Sequence, residues 1–192
     1  MKLLLDTPVD ETFFLVLDLE TTGLSPQDER VCEIAMIGYR DFKQIYSFST
    51  LINPDKPIPA KITEINGIDD NMVKDKPYFY EIIPNIIEVF QNAVLVGHNI
   101  QFDINFLTAE FARAGFIFPK ILFVDTLYMA RNLGNFSDNK LGNVAKNLDI
   151  SNQNWHRALS DVEMTYKIFE HFMVILKKEG VYTLKELFKK LR

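Results

Sequence analysis

The sequence predicts an α/β domain, a mixed sheet with helices on both faces. Two observations carry this expectation. Residues 13–52 read as three consecutive strands separated by short polar or turn segments, an antiparallel meander. Beyond the prolines of Asn53–Pro59, short apolar strands alternate with helical stretches, and the two patterns together specify a mixed sheet. A length of 192 residues suits one well-filled core.

The elements follow in order. Residues 1–11, with Pro8, read as a loosely attached arm. Phe13 to Leu17 is a run of strand formers, and Leu24 to Arg30 is a polar loop. Val31 to Tyr39 returns as a strand, Arg40-Asp41 turns the chain, and Lys43 to Ile52 alternates as a third strand. Lys61 to Ile68 suggests a short helix stopped near Gly67, with Asp69 as the N-cap of the next turn. In Pro77 to Gln91 the apolar residues Tyr80, Ile83, Ile87 and Phe90 recur at helical spacing; Pro84 implies a late start or a kink. Ala93 to Gly97 is a strand covered on both faces, followed by His98-Asn99 and a helix from Gln101 to Ala114. Ile121 to Val124 is a brief strand leading into a helix through Arg131, and Leu141 to Leu148 is another short helix. A long helix spans Ala158 to Lys178 with Gly180 as its stop, and a final amphipathic helix carries Leu184, Leu187, Phe188 and Leu191.

Composition narrows the function. With 47% apolar and 24% charged residues the chain is a soluble globular type rather than a disordered one. The net charge of −5 argues against a protein that coats nucleic acid, while leaving room for one that holds phosphate through metal ions. No apolar run approaches ~20 residues and Met1 to Asp6 lacks signal-peptide character, so a cytoplasmic protein without membrane contact is expected. The lone Cys32 excludes an internal disulfide and a cysteine zinc site; a buried small hydrophobe is expected there.

Acidic residues supply the chemistry. Asp18 and Glu20 follow the first strand directly, two residues apart, and so share one of its faces. Neighbouring carboxylates at the end of a buried strand repel one another, and a divalent cation removes that cost; a strand reaching its solvated end is the alternative. Asp103 stands in the first turn of the helix after the 93–97 strand, where the helix N-terminus favours negative charge. Asp161 lies beside the apolar stripe of the long helix, tilted toward the core. His156 precedes Asp161 by five residues, about 140° around a helix, so both reach one site only if His156 lies ahead of the helix in a loop. Four acids with no cysteine and little histidine suit Mg²⁺ or Mn²⁺. Two such ions would support phosphodiester hydrolysis by water, with a neutral histidine taking the proton.

Three segments, DLETTG at 18–23, GHNIQFDINFL at 97–107 and HRALSD at 156–161, resemble in order and spacing the motifs of DEDDh-family 3′–5′ exonucleases of the DNA polymerase III epsilon type. The resemblance implies a ribonuclease H-like fold with a mixed five-stranded sheet and an exonuclease domain over 12–180; the amphipathic C-terminal helix within 181–192, part of the domain or appended to it, stands where epsilon-type subunits usually continue into a longer tail. It also implies that Asp18, Glu20, Asp103 and Asp161 bind two divalent cations and that His156 is the general base. Leu19, Thr21, Thr22 and Leu24 would lie along the terminal nucleotide, with Ile65 and Phe102 as apolar contacts and Asn99 as a polar one. Ile65 and Phe102 fit the core equally well. Asn66 stands where many relatives have histidine, which weakens its expected substrate contact.

The expected function is a stand-alone 3′–5′ exonuclease releasing nucleoside monophosphates from DNA in proofreading or repair. An exoribonuclease with the same chemistry is the first alternative. A non-catalytic module binding a nucleic-acid 3′ end or a partner is the second, and four repelling carboxylates count against it. The last helix could recruit a polymerase, mediate self-association, or simply pack on the domain.

Overall fold

Phe14–Thr21 forms β1, the middle strand of a five-stranded sheet, and every other element is placed by its relation to it. The computed structural model describes residues 5–150 and 157–191. Val31–Arg40 (β2) and Lys43–Leu51 (β3) complete the expected meander, β2 antiparallel to both β1 and β3. Val94–Gly97 (β4) pairs parallel with β1, and Leu122–Asp125 (β5) pairs parallel with β4, giving the order β3-β2-β1-β4-β5. The β2–β3 turn sits on Asp41 and Phe42, one residue later than expected. Both have positive φ, 50° and 55°, as a two-residue hairpin loop with right-handed strand twist requires.

Helices fill the crossovers. Between β3 and β4 lie α1 (Ala60–Asn66), α2 (Asp70–Val73) and α3 (Phe79–Phe90). Gly67 ends α1 in the left-handed conformation, φ 71°, and the Asp69 carboxylate accepts the Met72 N–H at the start of α2, both as the sequence indicated. Helix α3 begins at Phe79 and runs on through Pro84. Its buried stripe is Phe79, Ile82, Ile83, Ile86 and Phe90; Tyr80, expected in that stripe, is exposed and stacks on Tyr78. Ile100–Arg113 (α4) links β4 to β5, and Thr126–Leu133 (α5), Leu141–Asn147 (α6), Ala158–Lys178 (α7) and Leu184–Lys190 (α8) follow.

Alternation along β1 divides the core in two. Phe14 and Val16 face α7, together with Ala35 and Ile37 of β2. Leu15, Leu17 and Leu19 face α3 and α4. Asp18 and Glu20 share the parity of Phe14 and Val16, so they emerge on the α7 side.

Residues 5–9 are not loose. Val9 N–H donates to Tyr182 O at 2.8 Å, Leu184 N–H to Thr7 O at 3.0 Å and Lys185 N–H to Leu5 O at 2.7 Å, and the Val9 side chain is buried. Such pairing is non-local and leaves no periodicity in a short arm. Thr183 and Glu186 cap α8 reciprocally, and Leu184 and Leu187 are fully buried in the α7-side core with Phe188 and Leu191 packed against it. The apolar stripe of the last helix therefore packs on the domain.

Candidate active site

Three carboxylates converge where β1 passes the start of α7. Asp18, Glu20 and Asp161 each offer an oxygen within 4.8 Å of those of the other two. Asp161 belongs to the first turn of α7, where its N–H donates to Arg157 O at 3.1 Å. That turn is moored to the sheet. Arg157 places its Nη2 2.7 Å from Oε1 of Glu33 and its Nε 3.2 Å from Oε2, and Ala158 N–H donates to the same carboxylate at 3.0 Å.

Asp103 arrives from the other side. Helix α4 packs in the β1 face opposite α7, and Asp103 lies on its buried stripe, one turn from its N-terminus. The β1–β4 ladder stops at Val16 opposite Val96, which leaves the next part of β1 free of β4. The Leu19 backbone N–H there favours the charged form of Asp103 by hydrogen bonding, as does the N–H of Asp103 itself. Asp103 is outside the 4.8 Å triad but acts electrostatically on Asp18.

Burial and mutual repulsion set the proton affinities. Burial, first, and then Asp103, Asp161, Glu20 and Glu33 hold the Asp18 carboxyl well above the usual carboxylate range. Burial pushes Glu20 up to about 7 against an opposing hydrogen bond from Asn66, with Asp161 and Glu33 adding to the rise. Asp161 is likewise raised to about 7 by burial and by Glu33, and Asp103 is raised chiefly by burial. The nearby cation that lowers Glu20, Arg157, already forks onto Glu33. An all-oxygen set of repelling, desolvated carboxylates fits hard divalent cations of the Mg²⁺ or Mn²⁺ kind.

The other expected contacts differ in their surroundings. Thr22 is fully engaged: its hydroxyl donates to Glu29 Oε2 at 2.5 Å and accepts the Arg30 N–H at 3.0 Å. Thr21 donates to Gly23 O at 2.7 Å, and Leu19 is buried under the site. Asn66 is 3% exposed, donates from Nδ2 to Glu20 Oε2 at 3.3 Å and accepts the Ile68 N–H at 3.0 Å, so it steadies a site carboxylate. Leu24 and Ile65 are exposed apolar side chains, 83% and 51%, adjacent in sequence to these groups. Phe102 is half-buried against Phe106. Asn99, left-handed at φ 69°, is exposed and donates its N–H to Asp125 Oδ1 at 2.9 Å. His156 lies outside the described residues.

Two residues were missed. Glu33 sits directly opposite Glu20 across β1 and β2, and an acid inside VCEIAMIGY was its signal. The β1–β2 register shifts just beyond this pair, a strand irregularity of the kind that re-aims side chains near sites. Asp125 ends β5, caps α5 through the Leu127 N–H and holds the Asn99 backbone. Its Asp-Thr context before a helix was the available cue.

The RNase_T model, described as an exonuclease, matches residues 15–169. This chain belongs to that exonuclease family. The span contains all three motif segments, and the resemblance to DEDDh epsilon-type exonucleases read from them is borne out. Among the similar proteins is the DNA polymerase III PolC-type of Caldanaerobacter subterraneus subsp. tengcongensis, 34% identical over 175 residues, covering 91% of this chain and 12% of that protein. The 3′-5′ exonuclease DinG of Bacillus subtilis is 34% identical over 176 residues, 91% of this chain and 19% of its own length. The RNase_T chain thus spans less than a fifth of these relatives. A structure of exonuclease X with 5′ overhanging duplex DNA superposes with a TM-score of 0.67 at 26% identity, over 84% of this chain and 92% of that one. Exonuclease I of E. coli in a single-stranded DNA complex shares the fold, TM-score 0.76 at 21% identity, over 83% and 40% of the two chains. The ribonuclease H-like, five-stranded mixed fold is that of these neighbours.

Proposed function

We propose that this chain is a 3′–5′ exonuclease that hydrolyses terminal phosphodiester bonds of DNA to nucleoside 5′-monophosphates. The convergence of Asp18, Glu20 and Asp161 within 4.8 Å carries the reading. Together with Asp103 these residues would hold two divalent cations, Mg²⁺ or Mn²⁺. When bound, such ions would lower the pKa of a water so that, once deprotonated, it can attack phosphorus, and would stabilise the leaving oxygen. His156, which lies outside the described residues, is the proposed base that accepts the water's proton.

Exposed Leu24 and Ile65, with Phe102, are assigned to the terminal nucleotide, which they would hold by apolar contact, and exposed Asn99 is assigned as a polar contact. Thr21, Thr22 and Asn66 are held by hydrogen bonds to Gly23, Glu29 and Glu20, and Leu19 is buried, so these four are proposed to shape the site rather than to grip the nucleotide. Residues 12–180 would form the catalytic domain, with residues 5–9 and α8 packed onto it. The exonuclease X and exonuclease I complexes, both with DNA, support DNA with a free end as substrate. The PolC-type relatives support proofreading beside a polymerase, in the cytoplasm, as part of the same proposal. Among the described residues no helix is long and apolar enough to cross a membrane.

The experiment is digestion of 3′-labelled and 5′-labelled single-stranded DNA, mismatched primer-template and RNA with Mg²⁺, using Asp103→Ala as the blank. Stepwise loss from the 3′ end of DNA, faster at a mismatch, is expected. Preference for RNA would move the protein to RNA processing with the same site; activity equal to the blank on every substrate would leave only the binding module.

A further inference from the structure

Glu33 is a carboxylate 4% exposed in a strand that is otherwise apolar and buried up to its terminal Arg40, on the sheet face where the three acids meet. Its cross-strand neighbour is Glu20. An acid buried against another acid is unfavourable unless it is firmly partnered. The partners of Glu33 come from the start of α7, namely the Arg157 guanidinium and the Ala158 N–H. Asp161 stands one helical turn after Arg157 and is hydrogen-bonded back to its carbonyl. Glu33 therefore ties the turn that carries Asp161 to β2, and the β1–β2 ladder ties β2 to the strand that carries Asp18 and Glu20.

We infer that Glu33 and Arg157 are positioning residues: their ion pair sets where Asp161 stands against Asp18 and Glu20, and so sets the affinity of the site for a divalent cation. The inference rests on the proposed function for the nature of that ligand. A planar guanidinium fork fixes direction as well as distance, which an ammonium does not. Charge alone makes a different prediction from position. Removing Glu33 takes a negative charge from the site and removing Arg157 takes a positive one, so a purely electrostatic role shifts cation affinity in opposite directions. A positioning role lowers it in both.

The test is Mn²⁺ titration of the full chain by calorimetry for wild type, Glu33→Gln, Arg157→Met and Arg157→Lys, with thermal melts in parallel. Glu33→Gln and Arg157→Met should each bind Mn²⁺ about 10-fold or more weakly, the usual scale for groups that orient ligands. Arg157→Lys should recover part of the loss. Exonuclease kcat in the first two should rise toward wild type as Mn²⁺ is raised, with KM for DNA unchanged. Arg157→Met binding Mn²⁺ as tightly as wild type, or more tightly, overturns the inference. The Arg157 side chain is 43% exposed, so this result does not depend on Glu33→Gln folding. A wild type that binds Mn²⁺ but degrades no nucleic acid would sink the proposed function while the Mn²⁺ series still decided the role of Glu33; a wild type that binds no Mn²⁺ would overturn both.

Discussion

Glu20 and Glu33 stand directly opposite one another on β1 and β2, two carboxylates on one face of an antiparallel pair. Like charges in that relation destabilise a sheet. Here each is drawn off by a different group, Glu33 by Arg157 and the Ala158 N–H, Glu20 by Asn66. The sheet thus tolerates a local concentration of negative charge at the place where α7 delivers Asp161.

That charge makes the metal-free protein sensitive to pH. Glu20 and Asp161 are raised to about 7 from ordinary values of 4.5 and 3.8. Between those limits the folded chain holds protons that the unfolded chain has released, so stability falls as pH rises from about 4 to about 7 and levels off above. In EDTA the melting temperature should drop on the order of 5 °C between pH 5.5 and 7.5 from these groups. Millimolar Mn²⁺ should reverse most of the drop at pH 7.5, by binding the folded chain alone. A flat profile in EDTA would show that the carboxylates are not desolvated as described.

Asp18→Asn should separate stability from activity. The substitution removes an ionisable group that burial and four neighbouring carboxylates make costly to charge, so the EDTA melting temperature at pH 7.5 should rise. Hydrolysis should fall below detection because an amide is a poor ligand for Mg²⁺. Melting and a labelled-oligonucleotide assay on the same preparation check both halves.

His156→Ala should lower kcat by about 10² to 10⁴, the usual scale for a general base, with Mn²⁺ affinity close to wild type. The acidic limb of the pH–rate profile should change shape as the base is lost. Loss of Mn²⁺ binding in this variant would instead make His156 a ligand.

Asn66→Ala removes a donor to Glu20 and the acceptor of the Ile68 N–H at a buried position. A loss of about 1 to 3 kcal/mol in denaturant unfolding is expected, from the buried N–H left without a partner. Mn²⁺ affinity should also weaken, by a few-fold to about 10-fold, as Glu20 loses its steadying bond. Unchanged Mn²⁺ binding would confine Asn66 to the fold.

Leu24→Ala touches neither core nor ligands, the side chain being 83% exposed. Its melting temperature should match wild type, while KM for single-stranded DNA rises several-fold for loss of apolar contact area. Steady-state kinetics on a short oligonucleotide would reveal a purely solvent-facing leucine by an unchanged KM.

The sequence by itself determined the local elements and the identity of the acids. The Asp18-x-Glu20 spacing places two carboxylates on one strand face, Gly67 and Asp69 punctuate α1 and α2, and the Ala158–Lys178 stripe defines α7, because period and capping are properties of a few neighbouring residues. Only the tertiary structure decided which of those acids meet. Asp161 joins Asp18 and Glu20 because α7 covers that face of β1, whereas Asp103 comes from the opposite face around the end of β4. The same holds for the packing of residues 5–9 on the start of α8 and for the Glu33–Arg157 pair, whose members are far apart in the chain. Contacts between residues distant in sequence leave no period behind, so these relationships exist only once the sheet is assembled.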